Sequence, residues 1–237
     1  MDNNMMSPAP KSGKTAVIAG IICLIVGLAA GYGIAKMHRN TTAATSNGTG
    51  DQMQMSAGQS SAAQDLHTAM RKLWSDHVIW TREYIVAAVE GTPDAQAAAT
   101  RLMANQDDIG NAIIPYYGAD AGHQLTALLK QHISIAVDLV AAAKAGNNAK
   151  FNQEAQAWND NGKQIADFLA AANPNWPKDQ MEEMMQTHLD TTTREAKDRL
   201  TKNYTDDVQA FDAVYNHILK MSDMLSDGIV KQFPSKF

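Results

Sequence analysis

The sequence predicts an all-α fold: an up-and-down antiparallel helical bundle of about six helices, preceded by one transmembrane helix. Three observations carry this. From about Ser61 onward, apolar residues recur at three- and four-residue spacing and never alternate as a strand would. Clusters of Gly, Pro and Asn interrupt that pattern with short gaps, so consecutive helices must run antiparallel. Upstream, residues 15–35 read TAVIAGIICLIVGLAAGYGIA, a run without charge and long enough to cross a bilayer. The expected division is a tail over 1–14, the anchor over 15–35, a low-complexity tether over 36–62 and the bundle over 63–237.

The anchor exceeds the apolar core of a usual signal peptide, which favours an uncleaved segment over cleavage after Gly33 or Ala35. Lys11 and Lys14 face Lys36 and Arg39 across it, so charge does not orient it. A short tail followed by a long domain suits a single-pass protein with that domain outside the cytoplasm. Gly27 and Gly31 form one GxxxG, through which two anchors could pair as a homodimer. The tether is Thr, Ser, Ala, Gly, Gln and Asn, with Met53 and Met55 as soft atoms that copper(I) could use.

Taken in order, the first helix spans about Ser61 to Glu90, with Leu66, Met70, Leu73, His77, Trp80 and Tyr84 as its stripe. Gly91-Thr92-Pro93 stops it and starts the second, with Thr92 as cap and Pro93 first in the helix. That helix carries Leu102, Ile109 and Ile113 and is expected to end before Pro115, leaving Tyr116 and Tyr117 in a mobile aromatic loop. The third carries Leu125, Leu128, His132, Ile135 and Leu139. After Gly146-Asn147-Asn148 the fourth carries Phe151, Ala155, Trp158, Asn161, Ile165 and Phe168. Asn173-Pro174-Asn175-Trp176-Pro177 breaks the chain before the fifth, with Met181, Met184, His188, Thr191 and Glu195. Asn203 turns into the sixth, with Val208, Phe211, Val214, Ile218, Met221 and Leu225.

Composition removes several functions. The net charge is -5 and four of the basic residues precede position 40, so the bundle is acidic and carries no basic stripe for nucleic acid. The single cysteine, Cys23, lies in the anchor, which leaves the bundle without disulfide, CxxC or haem-attachment chemistry.

What remains is a set of polar residues on stripes that should be apolar. Reflecting positions through each turn at ~1.5 Å per residue brings His132 beside Asn161, Asn161 beside His188, His188 beside His217, and His77 near Gln106 and Asp107. A buried imidazole needs a partner. One reading is a hydrogen-bonded layer that sets register, in which imidazole, carboxamide, Thr81, Thr191 and Glu195 satisfy one another. The other is a site where His77, His132 and His188 supply nitrogen and Glu195 and Asp108 oxygen, a set suited to iron, zinc or copper. Asn161, Thr81, Thr191 and His217 would support it. Glu-x-x-His and His-Glu-x-x-His are both absent, so no local signature marks a di-metal or protease centre. Arg82, Tyr116 and Tyr117 are the candidates for a ligand or partner surface.

The segments His77-x-x-Trp80-Thr81-Arg82, Asn105-x-Asp107-Asp108, Pro115-Tyr116-Tyr117-Gly118, His188-x-x-Thr191-x-x-x-Glu195 and Gln232-Phe233-Pro234-x-Lys236-Phe237 resemble a family of small bacterial all-helical proteins. The resemblance runs from about Leu73 to the end. Members are often labelled acetylglutamate kinase or glycosyltransferase. The residues contradict both labels, since the bundle has no Gly-Gly pair, no strand pattern and no Asp-x-Asp. The expectation is therefore a membrane-anchored bundle that binds a metal ion or small ligand at its polar layer without turnover. A scaffold with a purely structural layer, or a di-metal redox enzyme, are the alternatives.

Overall fold

The computed structural model describes residues 61–237; the expected anchor, its Gly27–Gly31 pair, and the tether with Met53 and Met55 lie outside the described residues. Among the described residues there are six α-helices and no strand. They are α1 (Ser61–Glu90), α2 (Ala95–Tyr117), α3 (Ala119–Ala145), α4 (Asn148–Ala172), α5 (Lys178–Leu200) and α6 (Tyr204–Gln232), followed by a 3-10 turn at Pro234–Lys236. Each helix packs on the next and α6 returns to α1, which closes the ring. α1 also reaches α3 and α5 across the interior.

The bundle is three copies of one helical hairpin, a repeat the sequence pattern alone did not disclose. His77, His132 and His188 stand at equivalent places on α1, α3 and α5, and each helix ends at a residue with positive φ fourteen positions later: Gly91 at 78°, Gly146 at 68° and Lys202 at 62°. In each case the next residue's N–H closes back on a carbonyl five residues earlier, Thr92 to Ala87, Asn147 to Ala142 and Asn203 to Asp198. The return helices bind in the same register. Asn105, Asn161 and His217 donate to the carbonyls of Leu73, Leu128 and Met184, each four residues before the histidine of its hairpin.

Two boundaries differ from expectation. Thr92 closes α1 rather than capping α2: its N–H donates to Ala87 O and its hydroxyl to Asp94 Oδ1, and α2 begins at Ala95 with Asp94 at the cap position. Nor does Pro115 end α2, which continues to Tyr117 and turns into α3 through Gly118 alone. A proline inside a helix costs about 3 kcal/mol, and tertiary contacts hold it here. Lys236 Nζ donates to the Pro115 carbonyl at 2.8 Å, Tyr116 stacks on Phe237 at 5.7 Å, and the Tyr117 ring meets Phe233 edge-on at 5.3 Å. The Tyr117 hydroxyl donates to Gln232 and accepts from Asn173. The expected mobile aromatic loop is thus a packed clasp at the bundle end.

The apolar stripes are correct in kind and off by one position in places. Trp74 and Val78 fill the core where Leu73 and Trp80 were expected, and Val208 is 53% exposed while Asp207 is buried. One described helix, α3, is long and apolar enough to cross a membrane by length and composition. Its mid-length Lys130 pairs with Asp107 of α2 at 2.7 Å, and Leu125, Leu129, Ile133 and Leu139 are buried, as suits a bundle helix.

α2 and α3 touch through Gly110 and Gly122. A Cβ at Gly110 would meet the Gly122 carbonyl oxygen at 2.6 Å, and one at Gly122 the Gly110 oxygen at 2.7 Å. Since backbone cannot yield as a side chain does, Gly110→Ala is expected to cost about 1–3 kcal/mol, read as a lower urea midpoint. An unchanged midpoint would mean that the two helices are not in contact there.

Candidate functional site

The three hairpins bring their histidines together at mid-height. His77, His132 and His188 are 3%, 2% and 4% exposed, and His188 is the hub. Its ring centroid lies 5.8 Å from His77, 6.1 Å from His132 and 6.4 Å from His217. Trp158 stacks on His132 at 5.0 Å, and Trp74 meets His77 edge-on at 5.6 Å.

Two carboxamides fix the imidazole tautomers. Asn161 Nδ2 donates to the Leu128 carbonyl, which turns Oδ1 toward His132 Nδ1 at 2.8 Å. Gln106 Nε2 donates to Leu102 O and to Asn105 Oδ1, which turns Oε1 toward His77 Nδ1 at 3.2 Å. An oxygen facing Nδ1 requires a proton on Nδ1, so in both rings Nε2 presents a lone pair. Burial lowers the His77 pKa to about 3, with His132 adding to the effect, and lowers His132 to about 4. Burial likewise holds His188 well below its ordinary value. The layer is neutral at physiological pH.

A cavity of about 50 Å³ opens on the side of this layer facing the Gly91, Gly146 and Lys202 turns. All three histidines line it, with apolar walls from Tyr84, Ile85, Leu102, Leu139 and Val140; no carboxylate lines it. Four polar atoms of its lining residues are buried without a protein partner: His132 Nε2, His188 Nδ1, Thr192 Oγ1 and Trp158 Nε1. Each such unpaired group costs about 1–3 kcal/mol. Thr192→Val removes one of them without breaking a protein hydrogen bond. It should raise stability by about 1 kcal/mol, read by urea denaturation; a loss of that size would show that the hydroxyl has a partner.

Beneath the cavity wall lies a charged cluster. Arg82 Nη1 lies 2.8 Å from both Glu195 Oε1 and Asp207 Oδ1, its guanidinium rests over the Phe211 ring at 4.8 Å, and Arg199 reaches Asp207 at 3.5 Å. Burial raises the Glu195 carboxyl to about 7 against the pull of Arg82.

The structure thus gathers His77, His132, His188, Asn161, Thr81 and His217, with Thr81 donating to the His77 carbonyl and lining the cavity. It corrects four other assignments. Asp108 is 49% exposed as a side chain and faces Arg101 at 3.5 Å, one residue's rotation and more from the layer, where Asn105 and Gln106 stand instead. Thr191 bonds back to the Thr187 carbonyl of its own helix, and its neighbour Thr192 reaches the cavity. Arg82 pairs with Glu195 and Asp207 rather than with a surface ligand, and Glu195, held in that pair, does not line the cavity beside the histidines. Among the described residues, no three His, Asp or Glu side chains converge closely enough to hold a metal ion. Sequence reasoning passed over Gln106 as a ligand-orienting group, Trp158 and Thr192; the matching spacings from His77 to Gln106 and from His132 to Asn161, 29 residues each, were the available signal.

The segments that carry the family resemblance meet in two places. His77 to Arg82, Asn105 and the His188 to Glu195 stretch share the layer, while Pro115 to Gly118 and Gln232 to Phe237 form the clasp. No family model, curated protein or solved structure matches the chain.

Proposed function

We propose that this protein is a membrane-anchored, non-catalytic binding protein that holds a small ligand in the mid-bundle cavity, with the three-histidine layer as its floor. The observation that carries the reading is an apolar cavity of about 50 Å³ bordered by three buried histidines from three different helices. A native ligand pocket is mostly apolar, and this one is walled by aliphatic and aromatic side chains. The anchor rests on the uncharged run at 15–35.

A second reading has an observation of its own. The thrice-repeated bond from a return helix to the carbonyl four residues before each histidine is what a register-setting layer would use. One experiment separates them: native and elemental mass spectrometry of the full chain in detergent, purified without chelator or affinity histidines. A co-purifying small molecule near one per chain is expected. Stoichiometric iron, zinc or copper that disappears when His77, His132 and His188 are replaced together would put a metal ion in its place. Neither, after exposure to cell extract and to the three metals, would leave the layer as structure.

A further inference from the structure

The partnerless polar atoms of the lining are sealed behind its apolar wall, so whatever enters the cavity is met by carbon. A water there would lack the two to four polar partners it needs. The enclosed part of an occupant must therefore be apolar. The packing agrees. On the clasp side of the histidine layer the core is one continuous cluster. On the turn side it is split, with Leu139, Phe151 and Trp158 in one group and Tyr84, Ile85 and Val140 in another. Members of both groups line the cavity, which lies where the two would otherwise meet.

Shape narrows the class. The lining runs along α3 from His132 to Ala143 and along α5 from His188 to Leu200, about 16–18 Å at ~1.5 Å per residue. A volume of about 50 Å³ along that length is a slot. A void that holds benzene is about 150 Å³, so a ring is too bulky and an unbranched chain is not. Charge marks the mouth. Toward the turns the lining becomes half-buried at Thr193, Ala196, Lys197 and Leu200 of α5. Lys197 is the one charged residue of the lining, and among the described residues its side chain pairs with no carboxylate. A lysine stem can lie along apolar surface while its ammonium stays in water, where an anion meets it with little desolvation. We propose that the cavity binds an unbranched aliphatic chain with an anionic head, the chain against Ile85, Leu139 and Val140 and the head at the mouth beside Lys197. A diatomic gas would suit the volume but would use neither the length nor the charge. A cationic head would meet a like charge.

This assignment rests on the binding reading above, and its test keeps the two apart. The full chain is held in digitonin, whose rigid ring body is too bulky for the slot, and the labelled methyl groups of Leu139 and Val140 are followed by NMR. Probes are titrated at free concentrations fixed by dialysis. From butanoate to octanoate, each added methylene is expected to tighten binding about fourfold. 2-Propylpentanoate has the carbons and head of octanoate on a branched chain, and should bind about tenfold more weakly or worse. Octan-1-ol should bind about threefold more weakly than octanoate, and octylamine more weakly still. Lys197→Met keeps the apolar stem and should remove the preference for octanoate over octan-1-ol. Octyl phosphate, titrated beside octanoate, decides between the two anions, and the tighter binder names the head. Equal binding of the branched isomer overturns the slot, and a preference that survives Lys197→Met overturns the anionic head; both leave the binding reading standing. Silence from every probe overturns the whole assignment, and it overturns the binding reading only if mass spectrometry also finds no retained molecule.

Discussion

Replacing Arg82 with Met is expected to cost roughly 3–5 kcal/mol, the largest effect of any single change considered for this bundle. The guanidinium is the shared partner of two carboxylates whose side chains are each 1% exposed, Glu195 and Asp207. Removing it leaves buried negative charge uncompensated and also strips the cover from Phe211. The loss has a pH signature. Glu195 already holds its proton up to about pH 7, and without Arg82 it holds it still more firmly. The cost of Arg82→Met should therefore be greater at pH 8 than at pH 5, and Glu195→Gln should recover part of it in the same background. Urea titrations at the two pH values measure this; a loss below about 1 kcal/mol, independent of pH, would place the cluster among exposed ion pairs.

Lowering the pH from 7 to 5 is expected to destabilise the folded bundle by a few kcal/mol. His77 and His132 titrate near 3 and 4 when folded and near 6.5 when unfolded, so between those values the unfolded chain binds more protons. Stability is then present above pH 6.5 and lost as the pH falls, at up to about 1.4 kcal/mol per unit for each histidine, or about 2 kcal/mol each by pH 5. His188 acts in the same direction. Glu195 acts oppositely: its folded value is raised, so its contribution improves as the pH falls from about 7 toward 4.5 and offsets about one histidine. His132→Gln keeps a donor for Asn161 and has nothing to titrate. It should flatten the pH profile by about 2 kcal/mol over this range, and an unflattened profile would mean that His132 is hydrated when folded.

How far the sequence could be read varied with the distance over which each feature is decided. Helical phase is local, so Leu102, Ile109, Ile113, Met181 and Ile218 were identifiable as core from spacing alone, and all five are buried. Depth within a hairpin depends on one turn, and reflection through it paired His132 with Asn161 and His188 with His217 as observed. Which face a residue presents is less forgiving. One position is a rotation of about 100°, enough to exchange Thr191 for Thr192, and two positions separate Asp108 from Gln106.

By itself, the sequence determined that residues 61–237 form a six-helix bundle with a layer of imidazole and carboxamide near its middle, because periodicity, turn residues and rise per residue are properties of the chain. Only the tertiary structure decided that Arg82 joins Glu195 and Asp207, 113 and 125 residues away, that Pro115 stays inside a helix, and that histidines from three hairpins border one cavity. Those outcomes depend on how three hairpins close into a ring, and contacts between hairpins leave no mark on the spacing within any one of them.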